Sequence, residues 1–351
     1  MKILYFTPYY PPQGEAAATR AYWFVKVLKE AGHNLNLLNA SNFKLKPATN
    51  KDRAIVRLFR ENLTGIELFF RVITSRNDYV ILSSPPFFSV LWGALGAVIS
   101  GQKYILDVRD LYPEIFFELK MIKEKSLFGW IAKKFTKALY RNAHEIMTVT
   151  QGLCREIESY GENKPHLVMN GYDPDIFFPG KSEEKFPRFT LVFHGTIGKL
   201  QNVETLLNLA KELEVDDLDI LVAGDGPKVQ EIISAARSNI RYLGNLPYQE
   251  IPSILRKCHV GLSFRTDDKI GKEAFPVKVF EYVGCGLPVI MSPPGEAGSI
   301  IQSHSLGLEF QNSDVIKMAA TIRQFRSAGT DIKKFEGFSR REQAKRILNL
   351  I

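Results

Sequence analysis

Two glutamates separated by seven residues stand in the segment Gly271–Ile290 of this 351-residue chain. Glu273 is placed in the loop before a predicted helix, Val277–Val283, and Glu281 lies on that helix. Lys278 lies in the first turn, where free backbone amides and the helix dipole favour an anion. A diphosphate bound there would leave Glu281 within reach of ribose hydroxyls. The spacing therefore predicts a site for a phosphorylated nucleoside.

Glycine-containing turns follow two predicted strands of the C-terminal half. One turn is Gly224-Asp225-Gly226-Pro227, and the other is His194–Lys199, which contains Gly198. Neither matches the dinucleotide fingerprint or the Walker P-loop. Ligands of parallel α/β sheets bind at the carboxyl ends of strands, so Gly198, Gly224 and Gly226 are candidate contacts. Glycines that only turn the chain are the alternative.

Further candidate ligand contacts lie in the N-terminal half. Gly14 follows the first predicted strand, where a side chain would obstruct an approaching phosphate. Arg20 is predicted at the start of the next helix, facing either an anionic ligand or a surface ion-pair partner. Arg109 and Asp110 follow a later strand. Asp110 either orients or deprotonates a ligand hydroxyl or caps a helix that begins near Leu111.

The elements that must position these residues alternate between strands and helices along the whole chain, the pattern of parallel sheets wrapped by helices. The predicted strands are Lys2–Thr7, Leu35–Asn39, Tyr79–Leu82, Tyr104–Val108, Glu145–Val149, His166–Met169, Phe189–Phe193, Leu218–Ala223, Ile240–Leu243, Val260–Phe264 and Pro288–Met291. We predict an α/β protein of two doubly wound, Rossmann-like domains that face a cleft.

Length and composition support two domains and an anionic partner. The chain exceeds the ~250–300 residues at which one core usually divides. A polar, proline-bounded linker, 179–187, predicts domains at 1–178 and 179–337, with a C-terminal helix at about 338–351 that is a candidate to pack back on the first. Residues 1–180 hold 23 basic and 17 acidic residues (+6) of the total net charge of +8. No nucleic-acid motif accompanies this excess, and the three cysteines lack metal-site spacing.

A family resemblance joins these landmarks. The segment with Glu273 and Glu281 resembles the E-x7-E region of retaining GT-B glycosyltransferases of family 4. Five other motifs follow the order of that family: Pro11-Pro12-Gln13-Gly14, Asp107–Glu114, Asn170-Gly171-Tyr172-Asp173, His194–Gln201 and Gly224–Pro227. Ser84-Pro85-Pro86 and Pro276-Val277-Lys278 are similar to the bacterial branch that builds surface polysaccharides, including transferases of N-acetylfucosamine type.

The resemblance implies a GT-B fold and the transfer of a sugar, with retention, from a UDP- or GDP-type nucleotide diphosphate sugar. It implies no metal and no other cofactor. The donor would contact the C-terminal domain through Glu281, Lys278, Val279, Gly198, Gly224 and Gly226. Catalytic roles fall on Glu273, which would touch the transferred sugar, and on Lys199, Asp110 and Arg109. Gly14 and Arg20 would face the acceptor.

Three positions depart from the family pattern. Thr196 and Gln201 stand where many members have the arginine and lysine that neutralise the leaving diphosphate. Lys199 and Lys278 are the expected substitutes, and Arg109 replaces a histidine. A catalytically impaired nucleotide-sugar binding or scaffold protein and a nucleotide-sugar 2-epimerase of the same fold are therefore the alternative functions.

The segment Ser126–Arg141 is predicted to form an amphipathic helix. One stripe, predicted as core, comprises Phe128, Ile131, Phe135, Ala138 and Leu139, and a second comprises Trp130, Lys134, Lys137 and Arg141. An indole among cations suits a lipid headgroup surface, and an ordinary protein surface is the alternative. The basic N-terminal half fits a lipid-linked saccharide acceptor. We therefore expect a cytoplasmic protein, peripheral on the inner face of the membrane.

Overall fold

The computed structural model describes residues 1–11, 16–43, 54–118, 122–161, 163–180, 185–329, 332 and 335–351. The chain divides into two compact units. Unit 1 comprises Met1–Met169 and Gln343–Ile351, and unit 2 comprises Asn170–Glu342. Gly14 and part of the predicted linker, 181–184, lie outside the described residues.

Unit 1 is built on a six-stranded parallel sheet with the strand order β2-β1-β3-β4-β5-β6. Its strands are β1 (Lys2–Phe6), β2 (Asn34–Leu38), β3 (Tyr79–Ser84), β4 (Lys103–Val108), β5 (Glu145–Thr148) and β6 (His166–Leu167). Strand β3 is buried at every position, as expected for a central strand covered on both faces. All six predicted strands of this half are confirmed, with ends shifted by one or two residues.

The helices of unit 1 enclose two hydrophobic cores, one on each face of the sheet. The helices are α1 (Ala16–Glu30), α2 (Ala54–Thr74), α3 (Phe87–Ile99), α4 (Glu114–Glu118), α5 (Leu127–Arg141) and α6 (Gln151–Ser159). Leu4 and Phe6 of β1 belong to one core, and Ile3 and Tyr5 belong to the other, as the two-residue period of a strand requires. The second core also contains Ala344, Ile347 and Leu350 from the C-terminal segment.

Unit 2 contains a second six-stranded parallel sheet with the order β12-β11-β10-β7-β8-β9. Its strands are β7 (Phe189–His194), β8 (Leu218–Ala223), β9 (Ile240–Tyr242), β10 (Val260–Phe264), β11 (Val289–Ser292) and β12 (Gly307–Glu309). Strand β12 was not predicted from the sequence, because three residues including Gly307 and Glu309 carry no strand pattern. It is an edge strand that pairs only with β11 among the described strands.

The helices of unit 2 lie between these strands in the sequence and bury a core lined by Phe193, Val222 and Phe264 of the sheet. They are α7 (Val203–Glu212), α8 (Val229–Ser234), α9 (Ile251–Leu255), α10 (Lys269–Glu273), α11 (Val277–Gly284), α12 (Glu296–Ser303) and α13 (Val315–Ala328). A last helix, α14 (Arg340–Lys345), lies between two 3-10 turns at Glu336–Phe338 and Arg346–Asn349.

Helix α5 corrects the sequence prediction about its apolar stripe. Ser126 caps the helix by accepting a hydrogen bond from the Gly129 N–H (3.1 Å). Phe128 and Phe135, predicted as core, are 71% and 58% exposed, whereas Leu139 is buried. The prediction was wrong because a helical stripe shows which side chains share a face but not whether that face is covered. Among the described residues, no helix has the length and apolar character required to cross a bilayer.

Candidate functional site

The loops that follow β7 and β8 in unit 2 pack against each other through their backbones. The Ile197 N–H donates a hydrogen bond to the carbonyl oxygen of Asp225 (2.9 Å). A Cβ on Gly224 would lie 1.9 Å from the oxygen of Gly195, and one on Gly226 would lie 2.5 Å from the oxygen of Ile197. Both glycines have positive φ angles, +144° and +151°. The turn geometry alone therefore requires these two glycines, and their contact with a ligand stays a prediction.

Gly198 and Val279, two other predicted donor contacts, differ in the space around them. A Cβ on Gly198 would meet only the Cγ2 of Thr196, at the ordinary contact distance of 3.4 Å. Val279 is fully buried on α11, so its side chain belongs to the core. Any ligand contact of Val279 would have to use its backbone. The predicted donor-binding role of both residues stays a prediction.

Lys278 is a buried cation in the first turn of α11. It is 7% exposed, and its Nζ lies 3.4 Å from Gln201 Oε1 and 4.2 Å from the centroid of the Phe193 ring. Burial, together with the nearby Arg265 guanidinium, lowers the pKa of Lys278 to about 7. An anion that enters these surroundings would therefore stabilise the charged form of Lys278.

Arg265 is a second cation in this region that the sequence analysis missed. It follows β10 directly, and its backbone N–H donates to the carbonyl oxygen of Ser292 (2.7 Å). It also forms a β-bridge with Gln201. Burial lowers the pKa of its guanidinium, and its buried Nε has no hydrogen-bond partner among the described residues. The available sequence signal was its place at the carboxyl end of a predicted strand, where ligands of such sheets bind.

Gln201 is the residue around which the cations gather. Lys278 contacts its side chain, and the Nζ of Lys228 donates to its backbone oxygen (3.0 Å). Gln201 itself is buried and bridges Arg265. Three cations from separate loops or helices thus surround the glutamine that stands where the family pattern has a lysine. Lys199, the other predicted substitute, is exposed on the loop after β7.

Glu281 is buried one turn after Lys278 on α11. It is 4% exposed and accepts a hydrogen bond from the Tyr248 hydroxyl. Burial raises the pKa of Glu281 to about 7, and the positive charge of Arg340 opposes that rise. A carboxylate in this environment gains from further hydrogen-bond donors, as the hydroxyls of a ribose would provide.

His194, at the end of β7, lies beside Glu281 and was not singled out from the sequence. Its Nε2 is 3.3 Å from Glu281 Oε2 but makes no hydrogen bond. Burial and the charge of Lys278 lower the pKa of His194 to about 3, so the imidazole is neutral near pH 7. The contact with Glu281 is therefore not an ion pair at that pH, and a buried ring nitrogen is left to meet a polar ligand.

Glu273 lies at the end of a short helix and not in a loop as predicted. Helix α10 is capped by Asp268, whose Oδ1 accepts a hydrogen bond from the Gly271 N–H (2.7 Å). Pro276 then separates α10 from α11, because proline cannot continue a helix by donating a backbone hydrogen bond. Glu273 is half-buried, and its contact with a transferred sugar stays a prediction.

The sequence prediction of an exposed Arg20 was wrong. It lies inside α1, is 3% exposed, and forms an ion pair with the fully buried Asp107 (Nη2–Oδ1, 2.8 Å). Its Nη1 donates to the carbonyl oxygens of Val168 (2.7 Å) and Met169 (3.1 Å). Both predicted alternatives, an anionic acceptor and a surface ion pair, require an exposed guanidinium. Arg20 therefore serves the unit 1 core.

Arg109 and Asp110 follow β4 at the carboxyl edge of the unit 1 sheet. Arg109 is half-buried, with its guanidinium 5.7 Å from the centroid of the Tyr9 ring. Asp110 is exposed. The next helix, α4, begins at Glu114, three residues after the predicted helix start near Leu111. The capping alternative for Asp110 stays a prediction. The acceptor-side roles of Arg109 and Asp110 stay predictions.

Metal-ligating side chains do not cluster in the part of the chain that the structure describes: no group of three or more His, Cys, Asp or Glu residues there could hold an ion. The three cysteines, Cys154, Cys258 and Cys285, are buried and free.

Comparisons with known proteins agree with this arrangement. Residues 176–340 match the family model described as glycosyl transferases group 1. The chain is 22% identical over 300 residues to the probable glycosyltransferase WbjE of Pseudomonas aeruginosa, covering 79% of this chain and 73% of WbjE. The solved structure of the lipopolysaccharide outer core galactosyltransferase WaaB is similar, with a TM-score of 0.68, 15% identity and coverage of 100% and 99% of the two chains. The structure of HepE from Anabaena in complex with UDP matches with a TM-score of 0.65, 14% identity and coverage of 99% and 94%.

The fold places this protein in a structural class. Two units, each with a six-stranded parallel sheet, form the GT-B architecture, which confirms the predicted fold class. The similarity to group 1 glycosyl transferases is carried by residues 176–340, which lie within unit 2.

Proposed function

We propose that this protein transfers a sugar from a UDP- or GDP-type nucleotide diphosphate sugar, with retention, to a lipid-linked or polysaccharide acceptor in bacterial cell-surface glycan synthesis. Unit 2 binds the donor and unit 1 binds the acceptor. The similarity to WbjE and to WaaB, a lipopolysaccharide galactosyltransferase, supports this choice of pathway class. The structure of HepE with UDP supports a nucleotide donor.

The observation that carries the proposal is the pair of cations, Lys278 and Arg265, beside Gln201. Each lies in surroundings where burial disfavours its charge, and Arg265 further lowers the pKa of Lys278. Such an arrangement is costly unless an anion balances it. A diphosphate at the N-terminus of α11 would be contacted by both cations and would accept hydrogen bonds from the free backbone amides of the helix. The same charges then stabilise the diphosphate as it leaves the sugar.

The nucleoside is placed by the neighbouring polar groups of α11 and β7. Glu281, one turn after Lys278, accepts ribose hydroxyls, and Tyr248 holds its carboxylate in position. Glu273 contacts the transferred sugar from the end of α10. Lys199, on the exposed loop after β7, approaches the sugar phosphate as the donor binds. These residues are the proposed donor and catalytic set, and the reaction needs no metal.

The acceptor side uses the loops at the carboxyl edge of the unit 1 sheet. Asp110 is exposed there and orients the acceptor hydroxyl, while Arg109 stabilises negative charge near it. Gly14, which lies outside the described residues, is a further proposed acceptor contact because of its place in the sequence after β1. The protein acts on the inner face of the cytoplasmic membrane, where a lipid-linked acceptor is available.

Thermal stabilisation by UDP-, GDP- and dTDP-sugars tests donor binding, because a ligand that binds only the folded state raises its stability. We expect one nucleotide class to raise the melting temperature of the wild type. Lys278→Met and Arg265→Met should each weaken binding by about tenfold or more, since each removes a charge-assisted contact. Lys211→Met, an exposed lysine at the end of α7, is the matched control and should bind like the wild type. Stabilisation that is equal in all four proteins would refute the proposed site.

Turnover separates the proposed reaction from its alternatives. Transfer to a lipid-linked acceptor that is lost in Glu273→Gln, with donor stabilisation kept, supports the transferase. Donor binding without turnover would identify an impaired binding protein. Conversion of the free nucleotide sugar to its 2-epimer without any acceptor would identify the epimerase.

A further inference from the structure

A groove of about 490 Å³ opens on unit 1 between α3 and α5. Trp92, Leu95 and Val98 line it from α3, and Phe135 and Leu139 line it from α5. Its volume falls within the ~300–1,000 Å³ range of small-molecule sites. We call it the α3–α5 groove. It lies in unit 1, apart from every residue assigned to the donor.

The rim of the α3–α5 groove exposes large apolar side chains. Leu95 is 45% exposed, Val98 is 49% exposed and Phe135 is 58% exposed. Three such side chains on one opening form a contiguous apolar rim, a feature that on a folded protein marks an interaction site. Covering them with hydrocarbon removes apolar area from water and is therefore favourable.

The polar groups that line the groove already have partners. The Trp92 Nε1 donates to Asn62 Oδ1 (3.1 Å), and the Asn62 amide donates to the carbonyl oxygen of Leu58 (2.8 Å). The Tyr104 hydroxyl donates to the carbonyl oxygen of Leu139 (2.6 Å), and the Asn142 amide donates to a carbonyl of α5. These side-chain donors are therefore committed within the protein. The lining selects for a hydrocarbon rather than for a polar ligand.

The cations of α5, which forms one wall of the groove, complement an anionic headgroup. Helix α3 carries no charged residue, whereas α5 carries Lys133, Lys134, Lys137 and Arg141 and no acidic residue. Lys133 is paired with Glu124, and Lys134 lies over the Trp130 ring at 5.3 Å from its centroid. An apolar slot beside a helix with this excess of cations fits an amphiphile with a hydrocarbon tail and a phosphate head.

We propose that the α3–α5 groove binds the hydrocarbon tail of the lipid that carries the acceptor, with its anionic headgroup near the cations of α5. The link to the acceptor rests on the proposed glycosyltransferase function, whereas the tail-binding site rests on the groove alone. In this proposal the protein binds the hydrocarbon tail of the acceptor in addition to its saccharide. Acceptors with the same saccharide but no tail should then bind more weakly.

Calorimetric titration with dodecyl phosphate, below its micelle concentration and without vesicles, tests the groove directly. We expect saturable binding of one tail per protein, and no competition from inorganic phosphate. Phe135→Lys places a charge at the rim, and Ala138→Trp fills the groove from an exposed position of α5. Each should weaken binding by about tenfold or more, because burying an ammonium or displacing the tail removes the favourable contact.

Phe128→Lys is the matched control for these variants. Phe128 is also an exposed phenylalanine on α5, two turns before Phe135, but it does not line the groove. Its variant should bind dodecyl phosphate like the wild type. Absence of saturable binding, or equal binding by all variants, would overturn the proposal. Equal affinity for the neutral dodecyl maltoside would overturn the assignment of an anionic head.

Two further readouts complete the test. A dimer in sedimentation equilibrium that dissociates in Phe135→Lys would show that a second copy of the chain occupies the groove, and would overturn the proposal. Stabilisation by the nucleotide donor is measured on the same samples. In the wild type, donor stabilisation without saturable tail binding refutes the groove and leaves the proposed function, whereas saturable tail binding without donor stabilisation refutes the proposed function and leaves the groove.

Discussion

Lys278 and Arg265 bring positive charge to Gln201 from distant parts of the sequence. The side chain of Gln201 contacts Lys278, and its backbone bridges Arg265. The resemblance described above implies two cations on the loop after the first strand of the second domain, where this chain has Thr196 and Gln201. We propose that Lys278, from α11, and Arg265, from the end of β10, take over their role.

The low pKa of Lys278 predicts a pH-dependent affinity for nucleoside diphosphate. Burial and the Arg265 charge lower the pKa of Lys278 to about 7, and a bound anion would raise it because it favours the ammonium form. Above pH 7, binding must therefore take up a proton. We expect the affinity for UDP or GDP, whichever binds, to fall from pH 7 to pH 9 by up to about tenfold per pH unit. Calorimetry in buffers of different ionisation enthalpy measures the proton uptake directly.

Lys278→Met provides the control for this pH dependence. The variant has no group to protonate at that position, so its weaker affinity should be nearly constant between pH 7 and pH 9. The fold should tolerate the change, because methionine fills a similar volume without a buried charge. An unchanged pH profile in the variant would assign the proton to another group, such as Glu281, whose pKa is also about 7.

At the scale of the elements, the ion pair of Arg20 and Asp107 ties α1 to β4 and to the chain after β6. Both side chains are buried, and Ser83 also donates a hydrogen bond to Asp107 (3.0 Å). Removal of one partner leaves an uncompensated charge in the core. We expect Asp107→Ala to lower the free energy of unfolding by about 3–5 kcal/mol, measured by urea denaturation.

The double variant Arg20→Met/Asp107→Leu tests whether the loss comes from the stranded charge. Replacing both partners with apolar residues removes the unpaired guanidinium, so stability should recover in part relative to Asp107→Ala. A double variant as unstable as the single one would point to packing loss instead. A single variant within about 1 kcal/mol of the wild type would contradict the structural role of the pair.

The elements differ in how far the sequence could predict them. Strand β8 and its turn were predicted because a continuous apolar run ends at a glycine with an unambiguous local pattern. Lys278 and Glu281 were predicted as neighbours because one helical turn brings them together. Arg20 and Phe135 were misjudged because their burial depends on residues far away in the sequence. Asp107, for example, is 87 positions from Arg20.

The same limit explains why Arg265 escaped prediction. No local motif surrounds Arg265. It lies near Gln201 because β10 pairs in parallel with β7, which brings the carboxyl ends of both strands to one edge of the sheet. The order of strands in a sheet is set by the packing of whole elements rather than by any one segment. The alternation of strands and helices followed from local periodicity, and the GT-B class from the family resemblance, whereas the cationic site required the strand order.

At the scale of the whole molecule, the charge of the N-terminal half and the exposed apolar residues of α5 both motivate the proposed contact with an anionic bilayer. Lys134 and Trp130 form a cation–π contact on α5, and Trp130 is 58% exposed. The first 180 residues hold six of the eight net positive charges. We propose that α5 binds an anionic bilayer surface through these cations and apolar side chains.

Vesicle co-sedimentation tests this surface on the full protein. Each lysine near an anionic bilayer contributes about 1 kcal/mol, so Lys134→Ala/Lys137→Ala should weaken binding to phosphatidylglycerol-containing vesicles by about 20- to 30-fold. The effect should shrink as salt increases from 50 to 500 mM, because salt screens surface charge. Lys211→Ala/Lys317→Ala, two exposed lysines of unit 2, is the matched control. Binding that does not depend on lipid charge would contradict the surface assignment.

The division of the chain gives unit 2 an unusual covalent position. Unit 1 is completed by Gln343–Ile351, which contribute Ala344, Ile347 and Leu350 to one of its cores. Unit 2 is thus a continuous insertion within unit 1, anchored to it by peptide bonds at both ends. A homologous unit 2 could be exchanged as the single segment Asn170–Glu342, whereas exchange of unit 1 requires two segments to be grafted together. Cutting the chain directly after Glu342 would remove these three side chains from the core of unit 1 and leave the whole of unit 2 in place.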